Sequence, residues 1–280
     1  MNIGIVGLGL IGGSLGLDLR SLGHKILGFS RREQTCQMAI ERGVVDDASC
    51  TPHILAAAEV VFICTPIAAI APTTQSVVPY LSRDAIVTDA GSVKKAVVEA
   101  VAPLWHNFVG GHPMAGKAES GLEVAERHLF VGKPYVLTPV DTTPVDAVKT
   151  VEEIVRSLGA NVFECRPEDH DRAVAWISHL PVIVSGGLIA ACMSEGDRTA
   201  LELAQQLASS GFRDTSRVGG GNPELGVMMA KYNREALLRS LHQYRLCLDE
   251  FISQIKAENW DSLEQQLTRN QQARPKFIKE

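Results

Sequence analysis

The sequence predicts a mainly parallel α/β sheet domain followed by an all-helical C-terminal domain. Three observations predict it. Short β-branched runs alternate with helix-like segments up to about residue 165, a glycine-rich turn joins the first run to the first helix, and strand signals stop at "RPEDHD", residues 166–171. The expected division is therefore 1–165 and 166–280.

The alternating half begins with "NIGIV" (2–6) and "IGGSLGLDLRSLG", then "KILGF" (25–29) and "EQTCQMAIERG". The runs "EVVFIC" (59–64) and "AIVTD" (85–89) follow, then the helix-like "SVKKAVVEAVAPL". "NFVGG" (107–111), "YVLTP" (135–139), the helical "PVDAVKTVEEIVRSLG" and "ANVFEC" (160–165) complete it. Apolar strands without polar alternation fit burial on both faces, and strand–helix–strand repetition means parallel pairing. In the second half, "DRAVAWISHLPVIVSGGLIAACM", "RTALELAQQLAS", "PELGVMMAKYN", "NREALLRSLHQYRLCLDEFISQIKA" and "DSLEQQLTRNQQ" all read as helix. Leu237, Leu241, Tyr244, Leu248, Phe251 and Ile255 form a stripe at helical spacing; core packing is the simpler account and a subunit interface the alternative.

With 45% hydrophobic and 21% charged residues, the composition is that of a soluble globular chain. A net charge of −5 offers no global attraction to nucleic acid or anionic lipid. The six cysteines are scattered, with neither a CxxC pair nor histidines at ligand spacing, so no metal site or disulfide framework is expected. No basic-then-apolar leader precedes the first strand, and Pro and Gly interrupt the longest apolar stretches, so a cytoplasmic protein without a membrane span is expected.

"GLGLIG", comprising Gly7, Leu8, Gly9, Leu10, Ile11 and Gly12, is a G-x-G-x-x-G between a strand and a helix. Gly7 permits the tight turn, Gly9 lets the backbone approach a pyrophosphate, and Gly12 lets helix and strand pack closely. The helix N-terminus supplies unpaired N–H groups for the phosphates. This is the Rossmann-type dinucleotide fingerprint. The second strand then ends at Phe29, and Ser30, Arg31 and Arg32 stand where NAD-binding chains hold a carboxylate against the ribose 2′-hydroxyl. A carboxylate would repel a 2′-phosphate, whereas a serine and two arginines bind one. Arginines at a helix start also oppose the helix dipole, so they are poorly explained as a solvated pair. NADP is the expected cofactor.

Ligands of open α/β sheets gather at the carboxyl ends of the strands. There the chain has Thr65-Pro66, Asp89 followed by Ser92, and Gly110-Gly111-His112. Ser92 alone reads as a helix N-cap and Thr65 as a turn residue before proline; both, with Pro66, are also candidate cofactor contacts. His112 places an imidazole that titrates near neutral pH at a strand tip, where a general base would stand.

"IGIVGLGLIGGSLG", "TDAGSVK", "GGHPMAG", "WISHLP" and "GFRDTSR", in this order over nearly the whole chain, resemble the prephenate/arogenate dehydrogenase family, most of all its compact NADP-dependent arogenate-type members. The chain ends soon after the helices, so a fused mutase or C-terminal regulatory domain is not expected. The resemblance implies oxidative decarboxylation of a cyclohexadienyl substrate in tyrosine biosynthesis. His112 becomes the acceptor of the hydroxyl proton, Ser92 its partner, His179 a substrate-binding residue, and Arg213, with Arg217 as second candidate, the carboxylate anchor. The long apolar-striped helix and the all-helical second domain lead to the expectation of a homodimer through the helical domain.

Without the resemblance, His179 before Pro181 reads as a structural histidine at a helix kink, and the two arginines as surface ion-pair residues. Two other functions fit parts of the pattern. A β-hydroxyacid dehydrogenase has a similar layout, but no lysine follows Gly186 and Gly187 on their helix. A non-catalytic NADP sensor would share the cofactor site, and His112 distinguishes it from an enzyme.

Overall fold

The computed structural model describes residues 1–117 and 119–278. Its sheet has eight strands: β1 Asn2–Val6, β2 Lys25–Phe29, β3 Asp47–Ser49, β4 Val60–Ile63, β5 Ile86–Asp89, β6 Phe108–Pro113, β7 Pro134–Thr138 and β8 Asn161–Glu164. Their order is β3-β2-β1-β4-β5-β6-β7-β8. The first six are parallel; β7 runs antiparallel to β6, and β8 is parallel to β7. The parallel six follow the doubly wound order, with its reversal point between β1 and β4.

Among these strands lie α1 Leu10–Ser21, α2 Glu33–Glu41, α3 Ile67–Val77, α4 Lys95–Val101 and α5 Val145–Ser157. Side chains alternate across the sheet because the strand period is two. Ile3, Ile5, Val60 and Phe62 enter one core with Leu15, Leu19, Val151 and Val155; Val6, Val61, Ile63 and Val87 enter the other with Ile70, Val97 and Val101. Helices α1 and α5 thus cover one face, and α3 and α4 the other.

Among the described residues every later element is helical: α6 Pro167–Val174, a π-turn at Ala175–His179, α7 Leu180–Met193, α8 Arg198–Leu207, α9 Ser210–Ser216, α10 Pro223–Tyr232, α11 Arg234–Lys256 and α12 Trp260–Ala273. The described chain forms two compact units, Met1–Arg234 and Glu235–Glu280. In α11, Leu237 is buried while Tyr244, Leu248 and Ile255 are exposed.

The expectation that Pro and Gly interrupt the apolar stretch after residue 171 is corrected. Pro167–Met193 is one helix, long and apolar enough by length and composition to cross a membrane. Proline is accommodated because the π-turn has already widened the hydrogen-bond ladder, with the Leu180 amide donating to the carbonyl of Ala175, five residues back. The same helix carries His170, Asp171 and His179, all buried, and Asp171 binds the start of α4.

Candidate active site

Backbone geometry at the β1–α1 turn leaves room for a dinucleotide. Gly7 has φ +94°, a left-handed conformation. A Cβ at Gly12 would lie 2.1 Å from the Gly7 carbonyl oxygen, so only glycine lets α1 start this close to β1. At Gly9 a Cβ would meet nothing within 4 Å, and no side chain caps α1 there. The first-turn amides are thus free for an anion. Leu8 and Leu10 are buried and Ile11 is half-buried, which anchors the loop between the glycines.

At the end of β2, Ser30 is half-buried, and Arg31 and Arg32 are exposed. The Ser30 hydroxyl accepts from the Arg32 amide at 3.3 Å, and Arg32 stands at the uncapped start of α2. After β4, Pro66 immediately precedes α3, and the buried Thr65 hydroxyl has no partner. An uncapped helix start, an open glycine and unpaired donors suit a phosphate-bearing dinucleotide such as a nicotinamide cofactor.

His112 lies at the carboxyl end of β6 and is 8% exposed. Gly111 before it is required by a close approach, since a Cβ there would be 2.6 Å from the Asp89 carbonyl oxygen. Behind the imidazole runs a chain of hydrogen bonds. His112 Nδ1 meets His170 Nε2 at 2.8 Å, and His170 Nδ1 meets Asp171 Oδ1 at 2.8 Å. The Asp171 carboxylate also accepts from the amides of Lys94 at 2.7 Å and Lys95 at 3.0 Å. Asn233 Nδ2 donates to the Asp171 carbonyl oxygen at 2.7 Å and lies 3.1 Å from His179 Nδ1. Nε2 of His179 is buried without a partner.

Electrostatics keep the two outer imidazoles neutral. Burial, then the fields of His170, Lys94 and His179, push His112 well below its usual range. Burial likewise takes His179 to about 4, with His170 adding to the effect and Asp171 opposing it. The expectation that His112 titrates near neutral pH is therefore corrected: buried beside other bases, it stays unprotonated there.

A second correction concerns Ser92. Helix α4 starts at Lys95, its first turn has no local side-chain cap, and Asp171 supplies the cap from α6. The Ser92 hydroxyl is buried, free of partners, in the β5–α4 loop. Beneath that loop Lys94 and Asp89, both without exposed surface, form an ion pair. Lys94 Nζ also donates to the Gly111 carbonyl at 2.6 Å, while Asp89 accepts from the amides of Gly91 at 2.8 Å and Gly111 at 3.1 Å. The pair therefore grips both backbone groups of the residue before His112.

His179 stands in the π-turn at the end of α6. Arg213, on α9, is exposed and paired with Asp214 at 3.1 Å. Arg217, just after α9, is exposed as well. Among the described residues neither arginine bonds to the histidine cluster. Their segment is tied to α7, where Ser185 Oγ donates to the Thr215 carbonyl at 2.6 Å. Sequence reasoning missed Lys94, His170, Asp171 and Asn233. The available signal was "EDHD", a histidine between acids at a helix start, which reads equally as a solvated linker.

Comparison with known proteins now adds to this geometry. Residues 15–164 match the family described as prephenate dehydrogenase, nucleotide-binding domain, and residues 166–269 match prephenate dehydrogenase, dimerization domain. A crystal structure of Synechocystis arogenate dehydrogenase is similar at 52% identity and TM-score 0.90, covering 99% of this chain and 100% of that one. The A. aeolicus prephenate dehydrogenase in complex with hydroxyphenyl propionate and NAD+ is similar at 27% identity and TM-score 0.93, over 99% and 98%. The prephenate dehydrogenase of Bacillus subtilis (strain 168) is 30% identical over 266 residues, 92% of this chain and 71% of that protein.

Proposed function

The chain belongs to the prephenate dehydrogenase family, and from that premise we propose that it oxidatively decarboxylates arogenate to tyrosine with NADP as hydride acceptor. The observation that carries the chemistry is His112, a buried neutral imidazole at the carboxyl edge of the sheet. In support of arogenate stands the 52% identity with the Synechocystis protein. Prephenate is the second reading, favoured by the description of the Bacillus subtilis relative. In support of NADP stand Ser30, Arg31 and Arg32 in place of a carboxylate after β2.

A bound nicotinamide supplies acceptance of hydride from the carbinol carbon. The residues of this chain do the rest. His112 accepts the hydroxyl proton as carbonyl character develops, and loss of carbon dioxide from the opposite ring carbon makes the ring a phenol. Ser92, with an unpaired buried hydroxyl, orients the imidazole or the substrate hydroxyl. His179 binds a carboxylate of the substrate from the helical side. Arg213, with Arg217 as second candidate, holds the side-chain carboxylate that survives the reaction. A clamp on the departing carboxylate would stabilise the ground state more than a transition state in which that charge is vanishing. Aromatisation drives the step, so positioning supplies much of the rate. Thr65, Pro66 and the Gly7–Gly12 turn complete the cofactor cradle. The helices from residue 166 onward form the interface of a homodimer, as the description of the matched domain suggests, and the protein works in the cytoplasm.

A four-way assay tests this: arogenate or prephenate with NADP or NAD, read as kcat/KM. Arogenate with NADP should be the best pair. Arg31→Ala with Arg32→Ala should raise KM for NADP by about tenfold or more, since charge-assisted bonds contribute roughly 1.5–3 kcal/mol each, while KM for NAD changes little. Equal changes would retire the NADP assignment. His112→Ala should abolish NADPH formation while cofactor affinity is kept; an inert wild-type protein that still binds NADP would instead indicate a sensor.

A further inference from the structure

The reaction needs one imidazole that accepts a hydrogen bond and, for a substrate carboxylate, one that donates. We propose that a single residue, Asp171, sets both polarities: its side chain fixes His112 as an acceptor through His170, and its main-chain carbonyl fixes His179 as a donor through Asn233. The assignment of the two outer histidines to substrate rests on the function proposed above; the polarity itself does not.

The first half follows from counting protons. The Asp171 carboxylate only accepts, and it takes the Lys94 and Lys95 amides and His170 Nδ1. His170 must therefore carry its proton on Nδ1. While His170 holds only that proton, its Nε2 is bare toward His112 Nδ1, 2.8 Å away. Two lone pairs cannot face each other at that distance, so His112 carries its proton on Nδ1 and its Nε2 is free to accept. The opposite tautomer of His112 would leave an unpaired buried nitrogen on each ring.

The second half runs through Asn233. Its side chain faces the Asp171 carbonyl oxygen at 2.7 Å, which only an NH2 group can satisfy. The other N–H of that group points to His179 Nδ1 at 3.1 Å. His179 Nδ1 is thereby the acceptor, and the neutral ring bears its proton on Nε2, the buried nitrogen without a partner. A substrate hydroxyl and a substrate carboxylate thus find complementary imidazoles.

On proton transfer the substrate O–H bond breaks and a bond to His112 Nε2 forms. The Nδ1 proton of His112 passes to His170 Nε2, and His170 holds two protons beside Asp171. The oxygen keeps its electron pair, which becomes the second bond of the carbonyl as the carbinol C–H bond breaks and its pair leaves as the hydride. Lys94 of the α4 start, itself paired with Asp89 of β5, and His179 of the π-turn are the other charged or titratable groups acting on His112. His170 and Asp171 are thus positioning residues, and His112 is the catalytic one.

The ligand-free protein, labelled with 15N in its histidine rings, gives the direct test at pH 7. Multiple-bond 1H–15N spectra should show His112 and His170 protonated on Nδ1 and His179 on Nε2, with His112→Gln and His179→Gln identifying their own signals. His112 found protonated on Nε2, or His179 on Nδ1, overturns the proposal whether or not any substrate is turned over. His170→Leu should return His112 to a mixture of tautomers and lower kcat by roughly 10²-fold or more, the ordinary contribution of a placed base, with substrate KM changed far less. His170→Gln, whose amide oxygen can still accept from His112 Nδ1, should recover part of kcat. Unchanged tautomers and kcat in His170→Leu would also refute it. The expected tautomers without any dehydrogenase activity would leave the polarity standing and remove the function proposed above.

Discussion

Lys94 and Asp89 are both fully buried and paired, and they hold the amide and the carbonyl of Gly111 between them. Removing one partner of a buried ion pair leaves an uncompensated charge and costs about 3–5 kcal/mol. Lys94→Met should therefore lower unfolding free energy by about that amount, and adding Asp89→Asn should restore part of it. Denaturant titration of the four proteins measures the coupling; additive losses would show that the pair is not acting as a unit. Arg213 offers a second residue-level test. If it holds the retained carboxylate, Arg213→Ala should lose little further kcat/KM on an analogue lacking that group, whereas a full loss there would point to the ring carboxylate. His112 was legible because two glycines, a strand end and a proline surround it. Lys94 was not: in "GSVKK" it looks like any solvated lysine at a helix start, and its burial comes from packing among β5, β6 and α6, which the local sequence does not show. His170, Asp171 and Asn233 were hidden because, apart from the bond between the neighbours His170 and Asp171, the partners that assemble the cluster lie 54–77 residues away.

Among the elements, strands with unbroken β-branched runs were readable, while β3, only three residues long, carries too little apolar sequence to signal itself. Helix α3 was overlooked because Pro72 lies inside it. Helix α4 was expected to cap itself with Ser92 but borrows Asp171 from α6; a cap supplied across a tertiary contact leaves no local pattern. The π-turn is the clearest difference. Proline inside a regular helix costs about 3 kcal/mol, so its removal would ordinarily stabilise the protein. Here the widened turn before Pro181 has already relieved the clash and the missing donor. Pro181→Ala should accordingly destabilise slightly, by about 0.4–1 kcal/mol, through greater freedom of the unfolded chain. A shift of the urea midpoint to higher concentration would show instead that the proline strains the helix.

At the scale of the whole molecule, the doubly wound order of the first six strands follows from right-handed crossovers and buried parallel strands, whereas the reversal at β7 depends on the long segment after β6, which has no pattern of its own. The same burial that builds the site gives the molecule a pH dependence. His112 and His179 have folded-state values below the ordinary 6.5, the latter about 4. Between those values and 6.5 the unfolded chain binds protons that the folded chain refuses, so stability rises with pH there, is complete above about 6.5, and falls as the medium is acidified. For His179 the full difference amounts to roughly 3 kcal/mol by pH 4. Asp46 and Asp169 have folded values lowered from 3.8, so the stability they add is lost only at still lower pH, outside this window. Urea unfolding between pH 4.5 and 7.5 should then show a positive slope of stability with pH, and His179→Gln should remove about one proton from it, or about 1.4 kcal/mol per pH unit. An identical slope in the variant would mean that burial does not shift His179 in the folded protein, leaving the proposed neutral donor without its physical basis.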